Sequence, residues 1–291
     1  MNPEPLFRRI LVAHTGPGVE RDLLEFAERL TAGDPEGRTL VAAFPSNGVL
    51  RSLAPAARSV FKSREAGRLS LQLFTEPELD SVFEAAAKFE ADLILMRRPE
   101  DGRQGRPIAR RLLGEARCSV CLLPAGLAPR IERAVAGVDL SPAGRELLAR
   151  GARLCTQAGA GELIALHSFL RSPLCDGDEL AEKTRQRLLL DLYRMLPRSE
   201  LNRLDCTPLI EESSSPERAL ARAVEEHGAD AVVVGRWGLP RFLLERPSQI
   251  VEKLLWSARA ALFQIQLSNE PVAVLKAIET RFFPNPEPRF N

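Results

Sequence analysis

The 291-residue chain has no apolar run that reaches the roughly 18 residues of a membrane-spanning helix. Its opening residues, MNPEPLFRRILVAH, lack an apolar core followed by a small-residue cleavage site, so no secretory signal is expected there. Charge of one sign is missing as well: 40 basic residues meet 39 acidic ones, for a net +1. The arginines alternate with acids, as in FAERLTAG and RAVEEHGAD. That pattern excludes a strong global field, and neither nucleic acid nor a membrane is expected as a partner. The 5 cysteines are an odd count for a disulfide framework, which points to a reduced, cytoplasmic compartment. Cys118-x2-Cys121 has no second pair at zinc spacing, and its two thiols fall on opposite faces of an expected strand. There are only 3 histidines, and each has a structural reading. No serine nucleophile elbow, Walker lysine motif or paired carboxylates are recognisable. No catalytic residue and no metal ligand is therefore assigned, and the expectation is a protein that is not an enzyme.

What the chain does contain is itself, twice. RRILVAHTGPGVERDLLEFAERLTAG (8–33) aligns with ERAVAGVDLSPAGRELLARGARLCTQAG (132–159), placing Arg21-Asp22-Leu23-Leu24 on Arg145-Glu146-Leu147-Leu148. VFEAAAKFEADLILM (82–96) matches ALARAVEEHGADAVVV (219–234), and EARCSVCLLP (115–124) matches SARAALFQIQ (257–266). The division is 5–125 for the first copy and 131–268 for the second, with AGLAPRIER (125–133) across the join. Residues 269–291 form a C-terminal extension, in which PVAVLKAIETRFF could make a short amphipathic helix before the proline-rich end.

Within each copy, short apolar runs alternate with longer helical patterns. AVAGVDL, ELIALHSF, CTPLIEE, DAVVVG and ALFQIQ read as strands of the second copy. SPAGRELLARGARLCTQAG and SPERALARAVEEHGA read as helices that stop at Gly159 and Gly228, with Ser215-Pro216 as a helix start. Strands that are apolar throughout belong in a parallel sheet covered on both faces. The fold class is α/β: two open parallel-sheet units of about five strands each.

Ligands of open α/β sheets bind beyond the carboxyl ends of strands, where strand order reverses. Val138-Asp139-Leu140-Ser141-Pro142 puts an aspartate at a strand tip and Ser141 at a helix start, as ligand groups or as plain helix caps. Gly235-Arg236-Trp237-Gly238 follows the valine strand. Its glycines would let backbone approach a ligand and take positive φ, Arg236 could supply charge, and Trp237 could stack on a base or plug the turn. A structural turn remains the alternative.

The repeat, VDLSPAGR, GADAVVVG and the GxxG loop together resemble universal stress proteins of the tandem type over roughly residues 5–267. The resemblance implies Rossmann-like units of the adenine nucleotide alpha hydrolase-like kind, paired as a pseudo-dimer through an antiparallel contact of SVCLLP with LFQIQL. It also implies ATP or another adenine nucleotide as cofactor, held by a strand-tip aspartate and Gly-x2-Gly-x9-Gly-Ser/Thr. Asp139, Gly235 and Gly238 match that pattern, but Ser248-Gln249 stands where Gly-Ser/Thr is expected, so spacing is kept and chemistry altered. The candidate cofactor-binding set is Asp139, Ser141, Ser168, Val234, Gly235, Trp237, Gly238, Ser248 and Gln249.

In the first copy Thr15 takes the aspartate's place, and Arg97 and Glu100 replace the glycines. Arg97, Arg98, Arg103, Arg106, Arg110 and Arg111 read as solvated helix and loop arginines, with an anion-attracting patch as the alternative. The expected function is a non-enzymatic stress-response or regulatory binding role with an altered nucleotide site in the second copy. A true ATP-binding switch and a slow nucleotide hydrolase are the alternatives, and a homodimer or another protein partner stays open.

Overall fold

The computed structural model describes residues 5–14, 20–43, 55, 59–60, 69–73, 79–99, 105–126, 130–170, 178–197, 204–236 and 249–267. The first half contains β1 (Arg9–His14), α1 (Arg21–Ala32), β2 (Arg38–Ala43), β3 (Leu69–Leu73), α2 (Leu79–Phe89), β4 (Leu93–Arg97), α3 (Gly105–Glu115) and β5 (Ser119–Leu123). The second contains β6 (Arg133–Gly137), α4 (Pro142–Ala158), β7 (Glu162–Phe169), α5 (Asp178–Met195), β8 (Asp205–Glu212), α6 (Pro216–Glu226), β9 (Ala231–Arg236), α7 (Gln249–Ser257) and β10 (Ala261–Gln266). The extension beyond residue 268, Thr15, Trp237, Gly238 and Ser248 lie outside the described residues.

All ten strands join one sheet in the order β3-β2-β1-β4-β5-β10-β9-β6-β7-β8. The two halves therefore repeat one internal order, reflected about the centre. Neighbours run parallel within each half. Among the described strands only β5 and β10 are antiparallel neighbours, with Leu122 opposite Leu262 and Cys121 opposite Phe263. This central pairing satisfies two rows of backbone groups that would otherwise be exposed sheet edges.

The apolar character of the strands follows from burial on both faces. β5 is buried along its whole length, and so are the first four residues of β4 and β9. One face packs against α1 and α4 through Leu23, Phe26, Leu147 and Leu148. The other packs against α2, α3, α6 and α7 through Val82, Leu112, Leu220 and Leu254. The halves also touch away from the strands. Gln157 on α4 accepts from the Leu6 and Phe7 amides at 3.0 and 3.1 Å, and donates to the Phe7 carbonyl at 2.6 Å and the Leu30 carbonyl at 2.5 Å. Phe26 on α1 meets Phe263 on β10 with ring centroids 6.1 Å apart.

Helix ends largely follow the expected capping. Ser141 accepts from the Gly144 amide at 3.2 Å, Pro142 opens α4, and Gly159 closes it at φ 80°. Ser215 occupies the cap position of α6 without making a side-chain cap bond. Gly228 adopts φ 59° just past that helix.

Candidate functional site

Strand order reverses at two places, between β1 and β4 in the first half and between β6 and β9 in the second. At the second reversal the carboxyl ends of β6 and β9 part around a cleft of about 320 Å³. Its walls include Gly137 at the end of β6, Val138 and Asp139 after it, Val234 and Gly235 of β9, His167 and Ser168 of β7, and Val251 of α7. Asp139, Ser168, Val234 and Gly235 of the expected set are thus brought together. Ser141 reaches the site through Asp139, and Gln249 is the first residue of α7.

Asp139 is held by its own turn. Its Oδ1 accepts from the Ser141 hydroxyl at 2.5 Å and the Ser141 amide at 3.3 Å, while the Ser141 Oγ caps α4. The ligand and cap readings of these residues therefore coexist: the cap orients the carboxylate. Among the described residues both bonds fall on Oδ1, which leaves Oδ2 as the oxygen for a ligand. Gly144 is required by this turn, because a Cβ there would sit 1.9 Å from the Asp139 carbonyl oxygen.

His167 was not among the expected ligand residues, yet it lines the cleft. Its Nδ1 lies 2.9 Å from the Val138 carbonyl and must donate to it. In the neutral ring Nε2 is then an acceptor. The signal that would have found it is its place two residues before the end of the second strand, beside the aspartate turn.

The structure corrects two expectations for the glycine loop. Gly235 is a strand residue and is not among the described glycines with positive φ, which are Gly126, Gly159 and Gly228. Its missing side chain makes room for packing, since a Cβ would meet Leu267 Cδ1 at 2.9 Å and Leu147 Cδ2 at 3.4 Å. Arg236 does not offer its charge to the cleft. Its guanidinium donates to the carbonyls of Ala116 and Gly114 in the first half, both at 2.5 Å.

The first half's arginines are likewise paired: Arg97 and Arg98 are half-buried, while Arg106, Arg110 and Arg111 are exposed, as the solvated reading expects. Arg97 bridges Asp22 at 2.6 Å and Glu20 at 3.2 Å. Arg111 pairs with Asp80 and Glu115. Arg98, Arg106 and Arg110 cross to the second half, at the Ala258 and Ala260 carbonyls, the Trp256 ring and Glu252. Arg103 lies outside the described residues.

Among the described cysteines Cys121 and Cys155 are buried, Cys118 and Cys206 are half-buried, and none of the four is in a disulfide; Cys175 lies outside the described residues. Burial pushes the Cys118 and Cys155 thiols up to about 12, and the Cys121 thiol upward as well. Among the described residues no group of His, Cys, Asp and Glu could hold a metal ion, and no helix is long and apolar enough to cross a membrane.

Fold and cleft together define an α/β protein with a mostly parallel ten-stranded sheet and a crevice at one switch point. The universal stress protein family model matches residues 130–251, so this part of the second half is a domain of that family. No curated protein sequence matches the chain. Among solved structures, a putative universal stress protein from Pseudomonas aeruginosa UCBPP-PA14 aligns at TM-score 0.69 and 16% identity, over 94% of this chain and 98% of the other. A protein of unknown function from Pseudomonas aeruginosa PAO1 gives 0.68, 16%, 94% and 98%. A universal stress protein from Archaeoglobus fulgidus DSM 4304 gives 0.55, 13%, 91% and 98%. These likenesses establish the fold over nearly the whole chain.

Proposed function

We propose that the protein is a non-enzymatic regulatory binding protein of the stress response, built from two universal-stress-type units and working in the cytoplasm. The second unit receives an adenine nucleoside or nucleotide in the β6/β9 cleft, and the first unit is a degenerate structural partner. The observation that carries this reading is the oriented Asp139 carboxylate at the strand-order reversal, with His167 and Ser168 beside it. Oδ2 of Asp139 would accept from ribose hydroxyls, and His167 Nε2 would accept from a base amino group or a hydroxyl. The apolar walls, Leu147, Leu220 and Val251, would flank the base. Arg236 is spent on the first unit, so the described part of the cleft favours the nucleoside end over the phosphates.

Calorimetric titration of the stripped protein with adenosine and with ATP tests this. One site per chain is expected, with the two ligands within about threefold of each other. Asp139→Ala should weaken either one by tenfold or more, the scale of a lost hydrogen bond to a charged group, about 1.5–3 kcal/mol. No heat with either ligand at millimolar concentration would refute nucleoside binding, and protein partners would become the ligand class to pursue.

A further inference from the structure

We infer that the first unit acts on the cleft of the second through a reciprocal arginine clasp, in which Arg98 and Arg236 are positioning residues for the ligand site. This rests on the reading of that cleft as the binding site.

Arg98 and Arg236 occupy equivalent places, where β4 and β9 leave the sheet beside β5 and β10. Each crosses to the opposite unit. Arg98 donates to the Ala258 carbonyl at 2.7 Å and to the Ala260 carbonyl, just past α7. Arg236 donates to the Gly114 and Ala116 carbonyls, at the end of α3. Arg236 thus meets carbonyls at the C-terminal end of α3 and Arg98 meets carbonyls just past α7, where the helix dipole also favours positive charge. Two further contacts run along the same helix pair: Arg110 to Glu252 at 2.5 Å, and Arg106 over the Trp256 ring at 5.6 Å.

Both elements held in this way are walls of the cleft. Arg236 directly follows Gly235, which lines it, and α7 contributes Val251. The first unit therefore grips β9 through Arg236 and α7 through Arg98, Arg106 and Arg110. Neither clasp arginine touches the ligand space. Each fixes the separation of two walls, so ligand affinity depends on the integrity of the junction, and by linkage the ligand tightens the junction.

The test compares Arg98→Ala and Arg236→Ala, their lysine counterparts, and Arg97→Ala. Arg97 sits at the same strand end but, among the described residues, bonds within its own unit, to Glu20, Asp22 and the Pro124 carbonyl. Adenosine affinity is read by calorimetry, and amide hydrogen exchange is read with and without adenosine. Both alanine variants should weaken adenosine binding about tenfold, within the usual range of coupling between sites. Lysine should restore part of the loss, and Arg97→Ala should leave affinity unchanged even where it lowers the melting temperature equally. Adenosine should slow exchange around residues 112–116 of the first unit in the native protein but not in Arg236→Ala. Unchanged affinity in both clasp variants, or an equal loss in Arg97→Ala, overturns the coupling. If the native protein binds no adenosine, the ligand assignment falls, and ligand-free exchange decides the clasp by itself. Faster exchange over 231–236 and 249–257 in the two clasp variants but not in Arg97→Ala sustains the clasp, whereas no difference overturns it.

Discussion

Gly144→Ala is the substitution for which helix propensity and tertiary geometry disagree most openly. Residue 144 lies in the first turn of α4, where alanine is favoured over glycine by about 1 kcal/mol. Propensity alone would make the variant more stable. In the folded chain, however, the new Cβ would stand 1.9 Å from the Asp139 carbonyl oxygen and 2.7 Å from Asp139 Oδ1, where ordinary contact begins at 3.4 Å. The nearer clash is with backbone, so the Asp139 turn itself must move. Forced overpacking costs about 1–3 kcal/mol. Disturbing the Ser141 cap that shares this turn adds about 1 kcal/mol. Subtracting the propensity gain leaves a net loss of about 2 kcal/mol, or roughly 4–8 °C in melting temperature for a protein of this size. Gly151→Ala on the same helix is the matched comparison. Its Cβ would meet only Leu163 and Val233, at 3.8 and 3.9 Å, so it should be more stable than the native protein by about 0.5–1 kcal/mol. Guanidinium unfolding of both variants, followed by circular dichroism, gives the two signs side by side. A Gly144→Ala protein as stable as the native one would refute the tight turn, and with it the oriented carboxylate on which the cleft depends.

Two further outcomes follow from the junction and the thiols. Phe263→Ala should cost about 3–5 kcal/mol, because the ring is fully buried and packs on Phe26 of the other half; a loss below about 1 kcal/mol in denaturant titration would mean the halves meet elsewhere. The buried neutral Cys155 thiol stabilises the fold fully below its ordinary value of 9.0, and that contribution is lost as pH rises through about 12, because the unfolded chain releases its proton first. Unfolding midpoints measured from pH 8 upward should therefore fall less steeply in Cys155→Ala, and an unchanged slope would contradict the assignment.

Much of the fold was legible because periodicity and repetition are local properties. ELIALHSF and ALFQIQ are apolar, β-rich and bounded by turns, and they appear as strands with those limits, 162–169 and 261–266. The aspartate was legible too, since a strand end followed by Ser-Pro leaves few conformations for the turn. The glycine loop was less so. Gly235 reads as a turn residue in the sequence, but Leu267 and Leu147 come from distant positions to fill the place of its side chain. His167 was missed because the end of an apolar strand does not reveal which of its residues face a cleft.

The repeats and apolar runs read as two copies of an open α/β unit, with the more intact motif expected in the second. Those features depend on spacing, apolar runs and capping residues, which act over a few turns of chain. What the arginines contact depends on segments far apart in the chain. Arg106 and Arg110 lie on an exposed helix face, Arg236 ends an apolar strand, and neither setting reveals a partner across the junction. Closing β5 onto β10 brings the end of each unit's helix against the other unit's strand exits. A helix C-terminus leaves carbonyls without partners, and at this junction a guanidinium from across the interface is a donor that reaches them.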